Sequence, residues 1–193
     1  VDIEAEQKAV KLQLGKHSVS GTLDVEIDGK VWDIKSASPY AFEQKFGQMG
    51  GYKKIKEDDV FGYVSQGYLY SKSRDKDFGG WIVINKASGE WVVCEAPELQ
   101  EEDKKEALAL AEKNLNALLS GEKFKRCFTD KEETYKDKDK NVKKTGNRVL
   151  SSICGFCDFK RTCWPDAIMH RKVGSTARFP KSVWYSKLKK REI

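Results

Sequence analysis

Residues 21–35 read GTLDVEIDGKVWDIK. Asp28-Gly29 between two alternating segments marks a hairpin, because a two-residue type I′ turn needs positive φ at both central positions and these residue types tolerate it. That turn sets the register: Ile27 faces Lys30, Glu26 faces Val31, Val25 faces Trp32 and Asp24 faces Asp33. Side chains alternate along a strand, so Leu23, Val25, Ile27, Trp32 and Ile34 share an apolar face, and Asp24, Glu26, Asp33 and Lys35 share the other. Carboxylates directly opposed across strands repel. A divalent cation held between them removes that cost, and Mg²⁺ prefers such hard oxygen donors. Lys35 projects from the same face, where an ammonium orients or helps deprotonate an attacking water or stabilises charge building on a phosphate. The same residues also make an ordinary solvated face of an amphipathic hairpin, and on the hairpin alone both readings stand.

Outward from the hairpin, Lys8 to Leu14 reads as a strand, with Val10, Leu12 and Leu14 on one face. Pro39 to Phe46 suits a short helix entered from Ser38, and glycines from Gly47 to Gly51 break the pattern. A helix from Val60 to Ser71 is expected, capped by Asp58 or Asp59. Trp81 to Asn85 and Glu90 to Glu95 form a second hairpin. Glu101 to Ser120 is the clearest helix, acidic at its start and closed by Gly121. Thr129 to Lys144 is nearly all charged and reads as a solvated loop or helical arm. A cysteine segment from Cys154 to Cys163 and a basic tail from Arg171 to Arg191 follow. The fold class is α/β, a central mixed β-sheet flanked by helices. The expected division is 1–150 as core and 151–193 as a cysteine segment and basic tail packed on it.

The chain has 193 residues, enough for an ordinary core, and 36 Lys and Arg against 30 Asp and Glu give a net charge of +6. A modest positive excess fits a polyanion partner. No apolar run approaches the roughly 18 residues of a membrane helix, so no membrane partner is expected. Five cysteines, three of them crowded near the C-terminus, do not suit a secreted disulfide framework; they point to metal or cluster ligation in a reducing compartment, the cytoplasm. In the tail, Arg171, Lys172 and Lys181 are interleaved with Phe179, Trp184 and Tyr185, a pattern in which cations track phosphates and rings stack on bases. A solvated C-terminal helix that docks Trp184 into the core accounts for the pattern equally well. Ser36 and Ser38 are placed to bond a phosphate oxygen, and Ser38 equally to cap the Pro39 helix.

Asp24, followed by Asp33-Ile34-Lys35, resembles the PD-(D/E)XK nuclease superfamily, in which an acid on one strand and an acid-x-Lys on the next form the metal site. Gln66-Gly-Tyr-Leu-Tyr70 resembles the Q-x-x-x-Y motif of the RecB-like branch, and Gln66 and Tyr70 lie on one face of the expected helix. Cys154-x₂-Cys157-x₅-Cys163, with Trp164 and Pro165 after it, is similar to the C-terminal cysteine triplet of the iron–sulfur members, among them the CRISPR-associated adaptation nucleases and the AddB helicase–nuclease subunit. The motifs also follow the family's order along the chain. The resemblance implies a restriction-endonuclease-like core in which Asp24, Asp33 and the backbone carbonyl of Ile34 hold Mg²⁺ or Mn²⁺. Lys35 would position the water, and Gln66 and Tyr70 would contact the strand. The implied activity is DNA exonuclease action on single strands or duplex ends, in recombination, repair or phage replication, with a helicase or recombination protein as a further partner.

Members usually carry a fourth cluster cysteine upstream of the nuclease core, whereas none precedes Cys94 here. Either it lies before Val1 in a longer gene product, or Cys127 or Cys94 replaces it, or the cluster is absent. Cys94, in an apolar strand, reads as a buried structural thiol. Cys127, beside Lys125 and Arg126, is the better substitute. The resemblance favours a [4Fe–4S] cluster; Zn²⁺ is the rival, with His170 completing a Cys₃His set. His17 does not match the metal-binding His that relatives place on an earlier helix. Two other classes remain open: a non-catalytic DNA-end-binding module, and a zinc-stapled interaction domain.

Overall fold

The computed structural model describes residues 2–121 and 125–189. The chain forms two compact units that divide after residue 122. The boundary falls earlier than the expected 150, because residues 131–136 pair with 142–149, and Arg148 and Val149 pair in turn with the C-terminal strand at Lys187 and Tyr185.

The first unit is built on a five-stranded mixed sheet in the order β1 (Ile3–Leu14), β2 (His17–Ile27), β3 (Lys30–Ala37), β4 (Asp77–Asn85), β5 (Trp91–Glu95). Strands β1 to β3 form an antiparallel meander, β4 runs parallel to β3, and β5 returns antiparallel. The β2–β3 turn has φ of +48° at Asp28 and +76° at Gly29, and the pairs Val25–Trp32, Glu26–Val31 and Ile27–Lys30 follow from it. A parallel neighbour needs a crossover. Here it comprises α1 (Pro39–Ala41), a π-helical turn (Phe42–Phe46), α2 (Tyr52–Glu57) and α3 (Tyr63–Arg74). Ser38 Oγ accepts from Ala41 N–H at 3.3 Å and starts the first of these. Helix α4 (Glu101–Leu119) packs on α3 and β1.

The core gathers Phe42, Phe46, Ile55, Val64, Tyr68, Phe78, Trp81 and Val83. Phe78 meets Trp81 edge-on at 5.1 Å and lies against Gly67 of α3, where a Cβ would come within 2.3 Å of its ring. That close approach seats α3 on the sheet. At the far end of α3, Glu26 is buried and gripped by Arg74 and by Lys76, whose Nζ lies 2.8 Å from Oε2. Those two cations, Arg74 first, hold its carboxyl down at about 2.

The second unit is a four-stranded antiparallel sheet in the order β6 (Lys131–Lys136), β7 (Val142–Val149), β9 (Ser182–Lys187), β8 (Ile168–Arg171). Two expectations are corrected. The charged stretch after Thr129 is a hairpin, not a loop or helical arm, because its opposite charges pair with one another: Lys144 with Glu132 at 2.8 Å and Lys143 with Asp137 at 3.2 Å. The tail is a pair of strands, not a C-terminal helix. Its Tyr185 is fully buried and donates to Glu133 Oε1 at 2.6 Å. Glu133 also accepts from Gly174 N–H, Thr145 and Asn147, so a buried carboxylate is satisfied by neutral donors. Those donors, set against its burial, leave its carboxyl below the usual range. Helices α5 (Ser152–Phe156) and α6 (Lys160–Cys163) carry Cys154 and Cys163, and Cys157 caps the end of α5. Lys190 and Arg191 of the basic tail lie outside the described residues. No helix among the described residues is long and apolar enough to cross a membrane.

Candidate active site

The β2–β3 ladder stops at Val25–Trp32, one step short of Asp24 and Asp33. In a two-residue hairpin the next hydrogen-bonded partner of Ile34 would be Leu23. Instead Ile34 N–H donates to Asp24 Oδ2 at 2.8 Å, so a carboxylate takes the place of a backbone acceptor. A strand residue sends its N–H and C=O to the same edge, so the Ile34 carbonyl also leaves toward Asp24.

Asp33 is 2% exposed. Lys35 Nζ donates to its Oδ1 at 2.9 Å and lies 2.7 Å from Oδ2, but without hydrogen-bond geometry there, and Oδ2 has no hydrogen-bond partner among the described residues. Burial pushes the Asp33 carboxyl up to about 6; Lys35 opposes the rise and the Asp24 carboxylate adds to it. Lys35 Nζ also donates to Gln66 Oε1 at 2.9 Å and stands 5.2 Å from the Tyr63 ring centre. Gln66 is aimed by the start of α3, where the Asp59 carboxylate accepts from Tyr63 N–H at 2.6 Å and Val64 N–H at 2.9 Å.

The structure thus brings Asp24, Asp33, Lys35, Gln66 and the Ile34 carbonyl edge together. Tyr70 lies one turn along α3 from Gln66, its ring against Gly21, where a Cβ would approach within 2.9 Å. Gln66 and Tyr70 both line a groove of about 410 Å³ walled by Val10, Leu12, Val19 and Leu69. Ser36 is not part of the group: strand alternation turns it to the face opposite Asp33 and Lys35. Glu26 shares the expected face but is spent on Arg74 and Lys76. Sequence reasoning missed Gln7, whose Nε2 donates to Asp24 Oδ1 at 3.3 Å. The turn at Gly15-Lys16, which pairs Leu14 with His17, is the signal that would have placed it opposite Asp24.

The donor set fits a hard divalent cation. Two carboxylates crowd at one point, one of them is buried with an oxygen that has no hydrogen bond, and both are oxygen donors of the kind Mg²⁺ and Mn²⁺ take. Among the described residues no three His, Cys, Asp or Glu side chains converge as a ready-made metal cage. Two carboxylates with a backbone carbonyl do not require one.

In the second unit all the cysteines are free thiols. Burial raises the Cys154 thiol, and the neighbouring Cys157, Cys163 and Cys127 add to the rise. Arg126 brings the Cys127 segment to the triplet: its Nε donates to the Cys163 carbonyl at 2.9 Å and its guanidinium stacks 3.9 Å from the Trp164 ring centre. Cysteine sulfur is the soft donor that zinc and iron–sulfur clusters take, but among the described residues no three of these side chains converge as a metal cage. His170 lies on β8, with Nδ1–H donating to the Arg171 carbonyl at 2.8 Å. Cys94 is buried in β5, its thiol pushed up to about 11 by burial alone. Arg171, Lys172 and Lys181 are exposed, and Lys172 N–H bonds the Lys181 carbonyl at 2.9 Å.

The chain matches no family model, no curated protein and no solved structure.

Proposed function

We propose that the protein is a divalent-metal-dependent DNA nuclease of the RecB-like PD-(D/E)XK kind that processes single strands or duplex ends. The observation that carries the reading is the buried Asp33 carboxylate, one oxygen in ionic contact with Lys35 but without a hydrogen bond, set against Asp24 and beside a lysine held by Gln66. The meander, crossover and parallel fourth strand agree with the core that the resemblance implies. Asp24, Asp33 and the Ile34 carbonyl would hold Mg²⁺ or Mn²⁺, which supplies positive charge against the negative charge developing on the phosphate and the departing 3′-oxygen. Lys35 orients the attacking water in line with the scissile bond. Gln66 and the Tyr63 ring keep the ammonium from swinging away. The groove lined by Gln66 and Tyr70 suits an unpaired base of the strand being cut, since rings and aliphatic walls receive bases without reading sequence.

Cys127, Cys154, Cys157 and Cys163 would hold a [4Fe–4S] cluster that staples the second unit; zinc is the alternative. Absorbance of the purified protein near about 400 nm indicates the cluster, and a colourless protein carrying zinc excludes it.

The test of activity is incubation of end-labelled single- and double-stranded DNA with Mg²⁺, Mn²⁺ or EDTA. Metal-dependent shortening supports the nuclease and reveals its polarity. DNA retention in EDTA with no product under any condition supports a non-catalytic end-binding module instead.

A further inference from the structure

In β1 the pairs Glu6–Val25 and Lys8–Leu23 flank the position where Gln7 stands opposite Asp24, and that position is unpaired. Gln7 has φ of +44°, in the left-handed region that a non-glycine residue rarely enters inside a strand. Its amide donates to Asp24 Oδ1, while Ile34 N–H donates to Oδ2. The β1–β2 ladder is therefore interrupted and the β2–β3 ladder ends beside Asp24, and each oxygen of its carboxylate carries a donor. Sparsely populated backbone conformations persist where the surroundings over-determine them, and such places cluster at functional sites.

Resting on the nuclease reading above, we propose that Gln7 is a positioning residue, whose left-handed backbone and side-chain amide fix the Asp24 carboxylate for shared binding of a divalent cation with Asp33. Outer partners of metal-binding side chains commonly tune affinity by 10- to 100-fold. Glycine at position 7 keeps the positive φ without strain and removes the amide.

The experiment is calorimetric titration of Mn²⁺ into the parent, Gln7→Gly, Gln7→Asn and Asp33→Asn, with a melting curve for each in EDTA. Asparagine also tolerates the left-handed region, but its amide is one methylene short of the carboxylate. The expected result is roughly tenfold weaker Mn²⁺ binding in both Gln7 variants, with melting temperatures at or above the parent's, and near-complete loss in Asp33→Asn. A purely structural role for Gln7 would lower the melting temperature and leave the affinity alone. Parent-like affinity in Gln7→Gly and Gln7→Asn, with binding lost in Asp33→Asn, overturns the role of Gln7 only. Parent-like affinity in Asp33→Asn overturns the cation site and the inference together.

Discussion

Asp33 is where stability and chemistry pull apart. Its carboxyl is raised to about 6, from an ordinary value of 3.8, chiefly by burial. The folded chain therefore holds this proton more tightly than the unfolded chain does. The favourable contribution is full below about pH 4 and is lost as pH rises through about 6, leaving the ionised group as a cost at neutral pH. Asp33→Asn removes that cost. In EDTA at pH 7 it should be more stable than the parent by about 3 kcal/mol, and the difference should vanish near pH 4, as denaturant melts across that window will show. Glu26 acts in the opposite sense at lower pH. Its carboxyl is held at about 2, so the stability it lends is present above about 4.5 and lost as pH falls toward 2. Lys35 separates binding from turnover. Lys35→Ala should lose about 100- to 1,000-fold in kcat, with Mn²⁺ affinity unchanged or improved, because the ammonium 2.7 Å from Asp33 Oδ2 competes with a cation for that carboxylate. Parallel kinetics and calorimetry distinguish the two.

At the scale of elements, the hairpin was legible because Asp28-Gly29 determines turn, register and face together, and α4 because its apolar spacing and acidic start agree. Asp58 or Asp59 was expected as the N-cap of a helix from Val60; the N-cap is Gly62 and the helix starts at Tyr63, with the Asp59 carboxylate accepting from the Tyr63 and Val64 N–H groups from before the cap. Helix α2 was not legible: it has six residues and only Ile55 is buried. The β6–β7 hairpin was hidden for a different reason. Its charges read as solvated and most of them are exposed, while the buried Glu133 and its donors tie the hairpin to the sheet. The face that Asp33 and Glu26 share stood open between a cation site and a wet surface. Asp33 and Glu26 look like a wet surface, yet α3 covers them, and only tertiary packing shows that. Seating α3 depends on Gly67 against Phe78. Gly67→Ala should cost about 1–3 kcal/mol by overpacking and lower activity through Gln66, whereas an unchanged denaturation midpoint would show that Phe78 yields freely.

At the scale of the molecule, a mixed sheet and the helix α3 packed on it bring two acids, a lysine and a glutamine together where the β2–β3 ladder stops, and the second unit carries four cysteines outside its strands and exposed cations. The net charge of +6 agrees with a polyanion substrate without specifying one. The motif order along the chain was readable as a resemblance. What no motif could show is that the β2–β3 ladder opens at Asp24, since that depends on side chains replacing backbone partners. The measurement that bears most directly on the whole account is cleavage of end-labelled DNA in Mn²⁺ by the parent and by Asp33→Ala, with circular dichroism confirming that both are folded. The account predicts shortened product from the parent and at least about 1,000-fold less from the variant. Equal cleavage by the two folded proteins would contradict it.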